Sequence, residues 1–185
     1  ERYGLVWLAE LEPLAPIPAF EDWGADGFAC FAVPTQRWRT SAAQMTDNFL
    51  DLTHFPFLHA TSFAEERPVP MPAHRCEPTP HGFTFSFCGD VGERRSTGGF
   101  EPVRYQYELA PPYWVRSTIH YEHSGVRQAI ITVMTPETAD TSLLFTLLAR
   151  NDIDAGDADA IAEAVAWQER VADEDRFILD HTARR

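Results

Sequence analysis

Cysteine is scarce: 185 residues contain three, and Cys30, Cys76 and Cys88 show no Cys-x-x-Cys spacing. An odd number without paired spacing argues against a disulfide framework or a zinc–thiolate site, and it suits a reducing cytoplasm. Long apolar runs are missing too. Stretches such as Ala129 to Met134 fall far short of the roughly 20 residues that span a bilayer, so a soluble chain is expected. Positive charge is in short supply, with 15 Lys and Arg against 28 Asp and Glu and a formal net charge of -13. Such a surface repels a phosphate backbone and an anionic lipid face alike, which argues against nucleic acid and membrane as partners. The chain also lacks an initiator Met, a basic leader, an internal repeat and any low-complexity segment. It enters directly into strand-like sequence at Glu1 to Leu8, as a cut through a longer protein would.

What is present is the composition of one folded domain, 44% hydrophobic and 12% aromatic, long enough to bury a core without staples. Glu12 to Asp26, with Pro13, Pro16, Pro18 and Gly24, reads as a surface connection. Gln36 to Gln44 reads as a strand, and Pro68 to Pro80, with five prolines in thirteen residues, as a second irregular stretch. Five strands are then expected: Gly82 to Cys88, Val103 to Leu109, Tyr113 to Tyr121, Arg127 to Met134 and Thr141 to Arg150. Turns at Gly98-Gly99, Pro111-Pro112, Ser124-Gly125 and Pro136-Glu137 separate them, and such short links imply antiparallel pairing. Asp157 to Arg184 reads as one amphipathic helix with an acidic first turn and Arg184-Arg185 at its end. The expected fold class is α+β, a curved antiparallel sheet gripped by a long C-terminal helix.

The chemistry concentrates in Asp47-Asn48-Phe49-Leu50-Asp51-Leu52-Thr53-His54-Phe55-Pro56-Phe57-Leu58-His59. Helical geometry over its first half puts Asn48, Asp51 and His54 on one side, among Phe and Leu. Burying four polar groups unpaired there costs about 1 to 3 kcal/mol each, so a metal or a hydrogen-bond network is needed. Two histidines five apart splay by about 140° on a regular helix. Pro56 is expected to break or bend that helix just after His54 and let His59 swing towards the same point. Asp51 is placed to fix the tautomer of His54. Spacing alone also allows a bland reading in which both histidines are ordinary core or surface residues.

On the last helix Ile161, Ala164, Val165, Val171, Ala172, Ile178 and Leu179 define an apolar stripe, with Asp175 in its middle and Gln168 beside it. Glu169, Asp173, Arg176 and Asp180 fall on another arc and read as a solvated face. An inward aspartate needs a cation or a donor. Gln168 reads equally as support for a site or as a core amide. His74, His81, His120, His123 and His181 have no ligand-like spacing.

Asn48-x-x-Asp51-x-x-His54-x4-His59 followed by Ala60-Thr61-Ser62 resembles the iron-binding segment of the Rieske non-haem iron oxygenase alpha subunits, within them the vanillate O-demethylase and dicamba monooxygenase branch. Glu1 to Leu8 resembles the strand leaving the Rieske domain. Thr135-Pro136-Glu137-Thr138, Arg150-Asn151 and Glu174-Asp175-Arg176 resemble that branch's late strands and last helix. The resemblance implies a helix-grip catalytic domain spanning residues 1–185, with mononuclear Fe(II) on His54, His59 and Asp175. It implies Asp51, with Asn48 beside it, as the catalytic bridge towards a neighbouring subunit's cluster in a homotrimer. Electrons are expected from NAD(P)H through a ferredoxin or reductase to a 2Fe-2S Rieske cluster. No Cys-x-His or Cys-x-x-His pair occurs in this sequence, so that cluster is expected in a domain before Glu1. The implied reaction is O2-dependent hydroxylation or oxidative O-demethylation of a small aromatic substrate. The pocket is expected among Phe57, Leu58, Trp114, Ile130, Thr132, Phe145 and Trp167, of which Phe57, Thr132 and Trp167 are the candidate substrate contacts. Two rivals use the same residues: a non-catalytic ligand-binding module of helix-grip fold, and a zinc-dependent hydrolase, which would lack the general-base carboxylate of a His-Glu-x-x-His motif.

Overall fold

The computed structural model describes residues 1–13, 15–64, 73–94 and 100–182, with the backbone alone at 88–94 and 100. Seven strands are followed by a long helix: β1 (Ala29–Trp38), α1 (Ala42–Leu50), α2 (Phe55–Leu58), β2 (Glu77–Thr79), β3 (Gly82–Arg94), β4 (Phe100–Ala110), β5 (Trp114–Tyr121), β6 (Arg127–Thr138), β7 (Thr141–Arg150) and α3 (Ala158–Leu179). They form one antiparallel sheet in the order β1-β7-β6-β5-β4-β3-β2. From β2 to β7 each strand pairs with its successor, and β1 closes the far side by pairing with β7, Ala29 opposite Arg150. α3 packs on β1 and on α1. This is the expected helix-grip α+β architecture.

The strands from β3 to β7 lie where alternation predicts them; β3, β4 and β6 run a few residues longer, β5 starts one residue later and β7 has the expected bounds. β1 does not: the expected strand at Gln36 to Gln44 begins instead at Ala29 and ends at Trp38. Ser41 stops it, because its hydroxyl accepts a hydrogen bond from the Gln44 amide at 3.2 Å and caps α1. The following Ala-Ala-Gln-Met are good helix formers. Pro34 survives in β1 because the strand lies at the sheet edge and its register shifts between Val33 and Gln36, the positions where a missing N–H is tolerated. A short edge strand, β2, occupies the end of the proline-rich stretch expected to be irregular, whose residues 68–72 lie outside the described residues.

The opening segment is not a strand. Tyr3 and Gly4 adopt φ of 60° and 74°, which turns the chain so that Arg2 and Leu5 bond each other in a lone bridge. Tyr3 Oη accepts from the Phe20 amide at 2.7 Å and donates to the Pro18 carbonyl at 3.1 Å. Tyr3, Leu5, Trp7, Phe20 and Trp23 thereby cover Trp114, Ile131 and Leu147 on the outer face of the sheet. The other face carries the main core, where Met45 of α1 and Ala172 of α3 join Tyr105, Val115, Met134 and Leu144 of the sheet. With both faces covered, β5 is buried at alternate and adjacent positions alike. The Gly98-Gly99 turn and Arg184-Arg185 lie outside the described residues. α3 begins as predicted, Asp157 accepting from the Ala160 amide at 3.0 Å, and ends at Leu179. No described helix is long and apolar enough to cross a membrane.

Candidate functional site

α1 ends at Leu50, and Asp51 leaves it in an extended conformation, φ -85° and ψ 123°. Its Oδ1 accepts from the Thr53 amide at 2.8 Å and the Thr53 hydroxyl at 2.6 Å, a local turn that competes with continuing the helix. The break therefore falls before His54, not after it. His54 and His59 bracket a single helical turn, α2, as its N-cap and C-cap, and Pro56 lies in its first turn. There the missing proline N–H leaves no intrahelical bond unmade. Proline thus starts the second helix, correcting the expectation that it ends the first, yet the outcome expected of it holds: the two imidazoles meet, Nε2 to Nε2 at 3.1 Å.

Asp175 rises from α3 to the same point. Its Oδ1 lies 3.3 Å from His54 Nε2 and 3.2 Å from His59 Nε2, and Asn48 Nδ2 donates to it at 3.0 Å. Helix phase is confirmed for this residue, 4% exposed against 59% for the Asp173 side chain. Ile178, assigned to the same stripe, is 46% exposed, whereas its neighbour Leu179 is buried in the main core. Asp180, read as solvated, accepts from the Arg39 amide at 2.7 Å and ties α3 to the loop before α1.

His59 is the most constrained ring of the trio. It is buried, stacked on Phe63 at 4.7 Å, and its Nδ1 lies 2.6 Å from Glu174 Oε2. The Ser62 hydroxyl donates to the same oxygen at 2.8 Å and the Thr61 hydroxyl to Glu174 Oε1 at 3.3 Å. Successive residues of one helix, Glu174 and Asp175, hold the two nitrogens of one imidazole. Sequence reasoning missed Glu174, although the Glu-Asp pair stood in plain view, because a charge next to an inward residue looks like solvated helix face. Tautomer control was expected at Asp51 and His54, but Asp51 Oδ2 is 3.6 Å from His54 Nδ1, beyond hydrogen-bond range. That Nδ1 is buried with no partner among the described residues. Asp51 is exposed, so of the four polar residues expected in the interior it lies at the surface.

Burial would raise the Asp175 carboxyl, but hydrogen bonds from His54 and His59, the charge of His59 and the Asn48 amide outweigh it and bring the pKa down to about 2. Burial likewise opposes a charge on His59. The hydrogen bond and charge of Asp175, then those of Glu174, overcome it and raise its pKa. The donor set fits a divalent ion. With Nδ1–H donated to Glu174, neutral His59 turns a lone pair towards the Asp175 carboxylate, an arrangement that needs a proton or a cation between them. Three donors 3.1 to 3.3 Å apart match a metal with bonds of about 2.1 Å, for which neighbouring ligands stand roughly 3.0 to 3.4 Å apart. His54, His59 and Asp175 are the cluster of this kind among the described residues.

A cavity opens from this point between the inner sheet face and α3. Phe55, Phe63, Tyr105, Ile130, Thr132, Trp167 and Gln168 are among its walls. Thr132 and Trp167 therefore lie where expected, Thr132 with its hydroxyl 3.4 Å from the Val115 carbonyl. Phe57 does not: it is 74% exposed, because in the single turn of α2 it points about 200° away from Phe55, which takes the inward place. Leu58 is not among the walls either. Trp114 and Phe145 also fall outside them, since the lining positions of their strands are Val115 with Ser117 and Leu144 with Thr146, one residue out of phase.

Residues 38–185 match the family model described as the vanillate O-demethylase oxygenase C-terminal domain. The methylxanthine N1-demethylase NdmA of Pseudomonas putida is 25% identical over 97% of this chain and 50% of its own length. The structure of NdmA from P. putida CBB5 with caffeine superposes with a TM-score of 0.77 at 19% identity, covering 90% of this chain and 47% of that one. Dicamba monooxygenase bound to dicamba gives 0.68 at 14% identity, covering 89% and 51%. The chain thus spans about half the length of the relatives it matches. It belongs to the vanillate O-demethylase oxygenase C-terminal domain family, the catalytic domain of the Rieske-type oxygenases.

Proposed function

We propose that residues 1–185 are a single mononuclear-iron domain in which His54, His59 and Asp175 hold Fe(II), and that the whole protein uses dioxygen to hydroxylate or oxidatively demethylate a small aromatic substrate. One observation carries this reading: three converging donors, two of them imidazole and one carboxylate, at the inner end of a largely apolar cavity. His54, His59 and Asp175 would hold Fe(II), which would supply the oxidising chemistry with dioxygen. The chain's own residues do the rest. Glu174 keeps the proton of His59 on Nδ1 and so leaves Nε2 free to ligate. Asn48 donates to Asp175 Oδ1 and so holds the orientation of that carboxylate. Phe55, Phe63 and Trp167 exclude water and offer aromatic faces to a flat ring. Where the oxidised carbon is a methyl on oxygen or nitrogen, the hydroxylated product loses formaldehyde.

Electrons are proposed to come from NAD(P)H through a ferredoxin or reductase to a 2Fe-2S Rieske cluster in a domain outside this chain. Asp51, exposed and nearest to the unpartnered Nδ1 of His54, is the proposed bridge from a neighbouring subunit's cluster in a homotrimer. The zinc-hydrolase reading lacks a free base: Glu174 already accepts from His59, Ser62 and Thr61. A passive binding module has no use for three converging lone pairs. Anaerobic metal analysis tests the proposal. About one Fe(II) per chain is expected, lost in His54→Ala and His59→Ala with the circular dichroism of the sheet retained; zinc in its place, or iron retained by both variants, overturns it.

A further inference from the structure

The cavity walls beyond the metal trio have a distinctive polarity. Gln168, Gln128 and Ser117 contribute to them, and their side chains make no hydrogen bond to any described residue. Gln168 lies seven residues before Asp175 on α3, two turns or about 10 Å along the axis, which is the span of a small fused or substituted ring. Ser117 and Gln128 stand on neighbouring strands of the facing sheet, opposite Ile130 and Ile119 respectively. Neutral donors and acceptors thus face the cavity from both sides at a distance from the metal donors. Among the described residues that line it, none is a lysine or arginine, and the chain as a whole carries -13.

We infer that the substrate is an uncharged aromatic or heteroaromatic molecule whose carbonyl or ring-nitrogen groups hydrogen-bond the Gln168 and Gln128 amides, and that aromatic acids are discriminated against. This rests on the reading of the cavity as the substrate site. A carboxylate entering it would exchange water for neutral amides, which do not repay the desolvation of an ion. Among the described lining residues it would meet no lysine or arginine, and the Asp175 carboxylate would repel it. An amide, imide or lactam edge loses far less on leaving water and pairs the half-buried glutamines.

Two probes of equal shape test this: 4-methoxybenzamide and 4-methoxybenzoate, titrated calorimetrically into the full chain, metal-free and again with Fe(II) under anaerobic conditions. The amide is expected to bind at least tenfold more tightly than the acid in both forms. Gln168→Ala and Gln128→Ala should each weaken the amide several-fold, and Gln168→Lys should reverse the preference. Equal or tighter binding of the acid by the unaltered protein, amide affinity unchanged in both alanine variants, or no binding of either probe at millimolar concentration overturns the inference. Because the preference is also read without metal, it is separable from the iron proposal. Failure to bind Fe(II) with the amide preference intact refutes the iron and spares this inference; stoichiometric Fe(II) with the acid preferred does the reverse.

Discussion

Glu174 offers the sharpest test of the site, because it touches a metal ligand without being one. Replacing it by Ala removes the acceptor 2.6 Å from His59 Nδ1 and leaves the Ser62 hydroxyl, which donates to the same oxygen, with the His59 carbonyl at 3.1 Å as its acceptor. His59 is buried, so water does not readily replace the lost partner, and its ring is then free to adopt the tautomer that protonates Nε2. Losing an outer hydrogen bond of this kind typically costs 10- to 100-fold in metal affinity, about 1.4 to 2.7 kcal/mol. Gln keeps a neutral acceptor but loses the charge assistance, worth roughly half of such a bond, so Glu174→Gln should weaken binding by less than about tenfold. The assay is an anaerobic titration with Fe(II), and with Co(II) as a spectroscopic reporter, against a competing chelator, with circular dichroism to confirm the fold. The expected order of affinity is unaltered protein, then Gln, then Ala. Unchanged affinity in Glu174→Ala would refute the claim that this carboxylate orients His59, and would make the 2.6 Å contact a feature of the metal-free state alone.

Further outcomes are open to measurement. Asp175→Ala should remove most of the iron, whereas Asp173→Ala, on an exposed side chain, should leave iron in place and change stability by no more than about 0.5 kcal/mol; the reverse result would refute the ligand assignment. In the proposed homotrimer of the whole protein, Asp51→Asn should keep iron and lose nearly all turnover, and full activity would reduce Asp51 to an ordinary turn residue. The metal-free protein should melt at a higher temperature near pH 5 than near pH 8. The raised pKa of His59 adds stability that is complete below 6.5 and is lost as pH rises through the folded value. Asp175 adds stability above 3.8 that is lost as pH falls towards about 2. Iron binding should fall as pH drops through the raised pKa of His59, since the ion must displace that proton; pH-independent affinity between 8 and 5 would contradict the ligand role.

Local periodicity was enough to read β3 to β7, the long helix and the inward phase of Asp175, because a 2.0 or 3.6 residue repeat is written into neighbouring side chains. Around His54 and His59 the residues by themselves showed only polar groups crowded among Phe and Leu that call for partners; the metal reading came from the resemblance to the Rieske oxygenases. What the sequence left open depends on contacts between distant residues. β1 exists as an edge strand because β7 pairs with it across a bulge that absorbs Pro34. Trp7 and Tyr3 are placed by the outer face they cover, and not by any strand propensity of their own. Alternation along β5 could not say which face meets the helices, since both are buried; Trp114 was expected in the pocket, and the packing of α1 and α3 puts Val115 there instead. The partnership of Glu174 with His59 links residues 115 positions apart. A helical wheel sorts such a carboxylate as half-exposed, and only the packing of α3 against the segment after α2 turns that surface charge into the clamp on a buried imidazole.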